Sequence, residues 1–425
     1  MKHIVIIGGG FAGINLAQNI AKGDNFRITL VDRNNYNFFP PLLYQVATAF
    51  LEASNISYPF RKLFRDKKNV SFRNAEFMSV NPAENMVSLS NGMLSYDYLV
   101  FATGAQTNYF GMDNVQKNAL PMKTLNDALE LRNHILQQLE EASCSTDLQE
   151  IKKKLTVVVA GAGPTGVEVS GMLAEMNANI FAKDYPELNK LGFAGEIYLV
   201  DGGANVLAPM SASSQDVTYN ALEKMGVKIL LNSQVKDYDG ETVILNNGTR
   251  IESRTLVWAA GVSASDFKGL PAGSYGRAHR LIVDNYNRIS GLANCFAIGD
   301  TCILSGDENY RDGHPQLAQV AIQQGKNLAI NFTKIIQGKA SIPFKYTDKG
   351  SMAIISRNKA VVDLPRPKLH INGFIAWLLW VFVHLTSLVS YRNRIKTLYN
   401  WTGAYFSKDQ SLRMIIRPAQ NMLNK

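Results

Sequence analysis

Two copies of the spacing G-x-G-x-x-G carry the most chemical information in this chain. The first is Gly8, Gly10 and Gly13, with Phe11 and Ala12 inside it; the second is Gly161, Gly163 and Gly166, with Thr165 inside it. Glycines at that spacing let the backbone turn tightly and approach a pyrophosphate, whose charge settles at the positive N-terminus of the following helix. Acids extend the pattern. Asp32, followed by Arg33, stands 19 positions after Gly13, close to the ~20 at which a carboxylate hydrogen-bonds a ribose 2′-hydroxyl. Asp201 stands 35 positions after Gly166, which exceeds the simple spacing; an insertion over residues 177–195 accounts for the excess. A carboxylate at that place repels a 2′-phosphate, which favours NADH over NADPH. Two dinucleotides on one chain imply electron transfer between them.

The elements that must hold these residues follow from the flanking apolar runs. His3-Ile4-Val5-Ile6-Ile7 reads as a strand entering the first glycine turn, with a helix expected over Ile14–Lys22 and a second strand ending at Asp32. Residues 155–160 repeat the plan, followed by a helix over Val167–Met176 and a strand Ile197–Val200 ending at Asp201. Each module closes on an apolar strand and small residues, Thr103 and Gly104 in one case, Ala260 and Gly261 in the other. Past the second module, Cys295–Asp300 reads as another buried strand ending in glycine and an acid, a return to the first module. A terminal Gly-Asp pair suits a flavin: Asp300 bonds the ribityl chain, and the helix starting near Pro315–Ala318 turns its positive end to the ring.

The expected fold is therefore α/β, with two Rossmann-like dinucleotide-binding domains, the NADH domain inserted in the FAD domain, and a C-terminal amphipathic membrane-associating region. The boundaries expected are 1–154 and 266–343 for FAD, 155–265 for NADH, and 344–425 for the C-terminal membrane-anchoring region, for which the family resemblance given below also implies dimerisation. Among the 425 residues, 46% are hydrophobic and 19% charged, an ordinary composition for a folded protein. Three cysteines without metal-ligand spacing argue against a disulfide scaffold and a metal site. A strand almost at the first residue leaves no room for a signal peptide, so a cytoplasmic body is expected.

Nearly all the net charge of +9 sits at the end of the chain. From Arg366 to Lys425 there are nine cations (Arg366, Lys368, Arg392, Arg394, Lys396, Lys408, Arg413, Arg417, Lys425) against Asp409 alone. They flank Gly373–Val389, an uncharged apolar run of 17 residues, short for a bilayer span of ~20. Tyr399, Trp401, Tyr405 and Phe406 follow as interfacial aromatics. This pattern fits a helix lying in the cytoplasmic membrane surface, with a short span as the alternative, and nucleic-acid binding is not expected of it.

Taken together, the paired modules, their Ala-Thr-Gly and Ala-Ala-Gly endings and Phe296–Asp300 resemble the two-dinucleotide flavoprotein reductases. Within these, Pro41–Thr48 and Ala318–Gly325 resemble the type II NADH:quinone oxidoreductases, which do not pump protons. The resemblance implies that Gln319 and Gln323, four apart on one helix face, line a quinone pocket beside the flavin, with Tyr44 and Gln45 on its other side. It also implies that Glu168 acts near nicotinamide and flavin, either orienting the nicotinamide or serving a proton path to quinone. A homodimer is implied as well. Disulfide reductases share the plan but need a cysteine pair near the flavin, and residues 39–50 contain none. A soluble ferredoxin or rubredoxin reductase, or a redox-sensing flavoprotein that contacts a partner through its basic tail, are the competing readings; neither requires the apolar segment.

Overall fold

The computed structural model describes every residue except 193–194, 305–306, 308, 408–411 and 417–425, so Lys408, Asp409, Arg417 and Lys425 of the basic tail lie outside the described residues. The chain forms two compact units. One comprises Met1–Phe38, Tyr58–Gln106 and Val262–Lys349; the other comprises Phe39–Ser57, Thr107–Gly261 and Gly350–Lys425.

In the first unit five parallel strands lie in the order Cys295–Ala297, Tyr98–Phe101, Lys2–Ile7, Phe26–Asp32, Val70–Asn74. The continuous apolar run of the central strand follows from burial on both faces. Ile4 and Ile6 join the core under the helices Phe11–Ile20 and Ala318–Ile336, whereas Val5 and Ile7 face the core that contains Val80, Val87 and Leu89 of an antiparallel three-stranded sheet. The two helices pack closely: a Cβ on Gly325 would meet the Ala12 carbonyl oxygen at 2.6 Å. The first helix starts at Phe11 and ends at Ile20, not at Ile14 and Lys22. Gly10 is already its N-cap, so the glycine turn runs into the helix without an intervening loop.

The second unit repeats the parallel sheet in the order Leu120–Pro121, Thr255–Trp258, Val157–Ala160, Ile197–Val200, Val227–Leu230. Its glycine turn opens the helix Pro164–Met176, three residues ahead of the sequence expectation because Pro164 takes a first-turn position where its missing N–H is harmless. Between that helix and the Ile197 strand, residues Asn177–Lys190 form a π turn and two short helices. The insertion leaves the register intact, with Val157 opposite Ile197 and Ala160 opposite Val200.

Residues from Ser351 onward add an antiparallel sheet (Ser351–Ser356, Lys359–Pro365, Lys368–Asn372) and two helices, Gly373–Ser387 and Tyr391–Ser407. Gly171 lets the Pro164–Met176 helix lie on the Ser351 strand, since any Cβ there would collide with the Ile355 carbonyl. The Gly373–Ser387 helix buries Ala376 and Trp380 and exposes Ile375, Leu378 and Phe382, the last at 65%. Exposed positions three and four apart make an apolar stripe along one side. Among the described residues no helix is long and apolar enough to cross a membrane. Tyr399 and Phe406 are exposed as interfacial aromatics would be, but Trp401 is buried against Trp380, with ring centroids 5.4 Å apart.

Candidate functional site

The two glycine turns have the same construction, residue for residue. Gly8 and Gly161 adopt φ of +107° and +104°, which glycine alone adopts without strain, and a Cβ on either would press into the carbonyl of Ala102 or Ala259. Gly13 and Gly166 leave no room for a side chain over the Gly8 and Gly161 carbonyls. By contrast, nothing lies within 4 Å of a Cβ built on Gly10 or Gly163. Both are helix N-caps without a side-chain capping bond, the position at which a helix N-terminus can receive a pyrophosphate. Phe11 and Ala12 in one turn, and Thr165 in the other, occupy the first helical positions beside it.

Each turn is tied to its acid. The Gly9 amide donates to Asp32 at 2.7 Å and the Ala162 amide donates to Asp201 at 2.6 Å. The second oxygen of each carboxylate accepts from the amide two residues on, Asn34 at 2.8 Å and Gly203 at 2.6 Å. Asp201 is therefore the structural counterpart of Asp32 despite its longer spacing. Burial pushes the Asp32 carboxyl up, against the downward pull of the Asn34 and Gly9 amides. Arg33 is exposed next to it.

The far edges of the cradles are built from the closing strands. In the first unit Thr103 Oγ1 donates to Thr301 Oγ1 at 3.2 Å, and Gly104 has φ of +71°. Asp300 lies in a short 3-10 turn, Gly299–Thr301, held by a 2.6 Å bond from the Gly299 amide to buried Gln324 and by Gln316 Nε2 donating to the Asp300 carbonyl at 3.1 Å. The Ala318–Ile336 helix begins just beyond, with Leu317 as N-cap and no side-chain cap. In the second unit Ala260 and Gly261 follow the Thr255–Trp258 strand, and a Cβ on Gly261 would run into the Phe110 ring.

Glu168 projects from the Pro164–Met176 helix into the interior and is 8% exposed. Burial raises its carboxyl well above the ordinary range, and the Ile354 backbone N–H only partly offsets this. Tyr44 and Gln45, in the short helix Leu43–Ala47 of the same unit, are also buried, at 2% and 3% exposure. Gln45 Nε2 donates to the Tyr44 hydroxyl at 2.9 Å. The Tyr44 phenol is raised far above its ordinary range by burial and then by the neighbouring Glu168 charge.

Gln319 and Gln323 share one face of the Ala318–Ile336 helix in the first unit, and both are half-buried. They bind the chain that leaves this unit: Gln323 donates to the Thr347 carbonyl at 2.9 Å and accepts from its amide at 3.0 Å, and Gln319 Oε1 accepts from the Lys349 amide at 2.9 Å.

Two groups escaped the sequence reading. Glu175 is a second carboxyl raised by burial, two helical turns after Glu168, and it accepts from the Arg357 backbone amide at 2.5 Å. Its spacing of seven from Glu168 on an apolar helix was the available signal. Trp401 Nε1 donates to Gln45 Oε1 at 2.7 Å; the two residues lie 356 positions apart and nothing local marks the pair.

Residues 2–325 match the family described as pyridine nucleotide-disulphide oxidoreductases, and residues 349–409 match the NDH2 C-terminal domain. The chain is 39% identical to the type II NADH:quinone oxidoreductase NdhA of Mycobacterium tuberculosis, across 96% of this chain and 87% of that one. It is 37% identical to Ndh of the same organism, across 95% and 88%. The solved structure of NDH2 from Plasmodium falciparum in complex with NADH has the same fold, with a TM-score of 0.88 at 23% identity, covering 98% of this chain and all of that one.

Proposed function

Because the chain belongs to the pyridine nucleotide-disulphide oxidoreductases, and among them to the type II NADH:quinone oxidoreductases, we propose that it passes electrons from NADH through FAD to a membrane quinone without pumping protons. The observation that carries this is the duplicated cradle: two glycine turns, each opening an uncapped helix and each locked to an acid, on one chain. The residues present fit both dinucleotides. Open space at Gly10 and Gly163 leaves room for a pyrophosphate, and the bonds that tie Asp32 and Asp201 to the glycine turns support their reading as ribose ligands.

FAD supplies the two-electron carrier between nicotinamide and quinone. The chain does the rest. Gly8, Gly10, Gly13, Phe11, Ala12, Asp32, Arg33, Thr103, Gly104 and Asp300 hold the FAD, and Gly161, Gly163, Thr165, Gly166, Asp201, Ala260 and Gly261 hold the NADH. Asp201 selects against a 2′-phosphate by charge. Net reduction of a quinone by NADH takes one proton from outside both substrates. Glu168, whose carboxyl burial raises well above the ordinary range, serves the local path of that proton. Tyr44, Gln45, Gln319 and Gln323 contact the quinone, and Gln319 and Gln323 also fix residues 347–349.

The exposed stripe of Ile375, Leu378 and Phe382, with Arg392 exposed and Arg394 half-buried near it, docks the protein peripherally on an anionic lipid surface. We assign this surface to the cytoplasmic leaflet, a homodimer to the C-terminal region, and no role in nucleic-acid binding. A soluble reductase has no use for such a stripe. Anaerobic flavin absorbance, followed as NADH and then a soluble quinone are added, tests the reading.

A further inference from the structure

The Tyr391–Ser407 helix turns a polar stripe inward. Asn393, Thr397 and Trp401, spaced by four, are 5%, 0% and 7% exposed, whereas Ile395, Leu398 and Tyr399 face out. Asn393 Nδ2 donates to the Ser57 carbonyl at 2.8 Å, and Trp401 Nε1 donates to Gln45 Oε1 at 2.7 Å. The two bonds fasten both ends of this stripe to the segment that carries Tyr44 and Gln45.

The chemistry of the indole gives this chain a direction. An indole N–H donates and never accepts, so the Gln45 amide must turn its oxygen to Trp401 and its NH₂ to Tyr44. Tyr44 Oη therefore accepts from Gln45 at 2.9 Å, and the single phenol proton has to point elsewhere. Without Trp401 the amide is free to flip, Tyr44 can donate to it instead, and its proton is lost to any other acceptor. All three side chains are buried, so water does not scramble the order.

We propose that Trp401 is a positioning residue for quinone reduction, which through Gln45 sets the Tyr44 hydroxyl as a hydrogen-bond donor to the quinone carbonyl. This rests on the assignment of quinone as acceptor and of Tyr44 as one of its contacts. It makes the C-terminal helix part of the quinone half of the reaction, in addition to any lipid contact.

The test uses the full-length, FAD-loaded protein under anaerobic stopped flow. The flavin is reduced by NADH in one experiment and reoxidised by a short-chain soluble quinone in the next. Trp401→Phe keeps the ring and removes the donor; it is expected to leave reduction by NADH within about twofold and slow reoxidation roughly 5- to 10-fold, the scale of one lost buried hydrogen bond. Gln45→Glu provides a second arm. As a carboxylate it accepts from both Trp401 and Tyr44 and reverses the Tyr44 bond; once protonated, its O–H donates to Tyr44 as the amide does. Burial raises a carboxyl by up to about 3–5 units and the two donated hydrogen bonds lower it, so a scan from about pH 4.5 to about pH 9.5 covers its titration. Relative to the unsubstituted protein at each pH, reoxidation by Gln45→Glu should be slow at the alkaline end and recover at the acid end. Unchanged reoxidation in both variants overturns the proposal, as does equal slowing of both half-reactions, or a Gln45→Glu deficit that ignores pH. If the unsubstituted protein is reduced by NADH but not reoxidised by quinone, the functional assignment itself falls, a result distinct from these.

Discussion

The Ala162 amide donates to the Asp201 carboxylate at 2.6 Å, and this bond places Asp201 in the second cradle as Asp32 is placed in the first. In the proposed function this carboxylate reads the adenosine ribose. Asp201→Ala should weaken NADH binding by the ~1.5–3 kcal/mol of a hydrogen bond to a charged group, about 10- to 100-fold, and narrow the gap between NADH and NADPH. Steady-state KM values for both nucleotides check this; an unchanged preference means that another residue reads the ribose.

Gly166 tolerates no side chain, because a Cβ there would enter the Gly161 carbonyl. Gly166→Ala should therefore abolish NADH binding while flavin content, set by the other cradle, stays normal. Absorbance at the flavin band of the purified variant, followed by NADH titration, gives both readouts.

Glu168 carries a pH signature. Its folded pKa is raised above the ordinary 4.5, so the folded state binds the proton more tightly than the unfolded one. Its contribution to stability is fully present below about pH 4.5 and is lost as pH rises toward the raised folded value. Glu168→Gln mimics the protonated form. The variant should match the parent in thermal stability in acid and exceed it increasingly at higher pH, while quinone reduction falls. Melting curves from pH 4.5 to 9 decide this; parallel curves would mean that Glu168 is charged in the fold.

Gln319→Leu with Gln323→Leu should slow reoxidation by quinone and leave reduction by NADH nearly intact. The bonds to Thr347 and Lys349 add a second effect, a loss of roughly 1 kcal/mol of stability per bond. Stopped-flow rates and a denaturant midpoint separate the two. Equal loss of both half-reactions would remove these residues from the quinone step.

Most of the nucleotide-binding architecture was legible in the sequence, since glycine turns and strand-ending acids are local devices with fixed spacing. Asp201 shows where that legibility stops: its distance from Gly166 reflects an insertion that does not change strand pairing. Trp401 shows a different limit. Read as an interfacial aromatic from its neighbours, it is instead buried, because its partners Gln45 and Trp380 come from distant segments. Composition cannot tell an indole that faces lipid from one that faces the core.

That burial changes how the lipid contact should be tested. Removing residues 373–425 would also strip Trp380 and Trp401 from the interior. Ile375→Glu with Phe382→Glu alters exposed positions only and should release the protein from vesicles containing anionic lipid, with the fold intact. Continued sedimentation with the vesicles would place the contact elsewhere.

The most direct measurement is an anaerobic absorbance titration of the purified protein with NADH, followed by a soluble quinone. Electron transfer from NADH through the flavin to quinone requires that NADH bleach the flavin band and that quinone promptly restore it. A band that NADH leaves unchanged, or that quinone fails to restore, would contradict it.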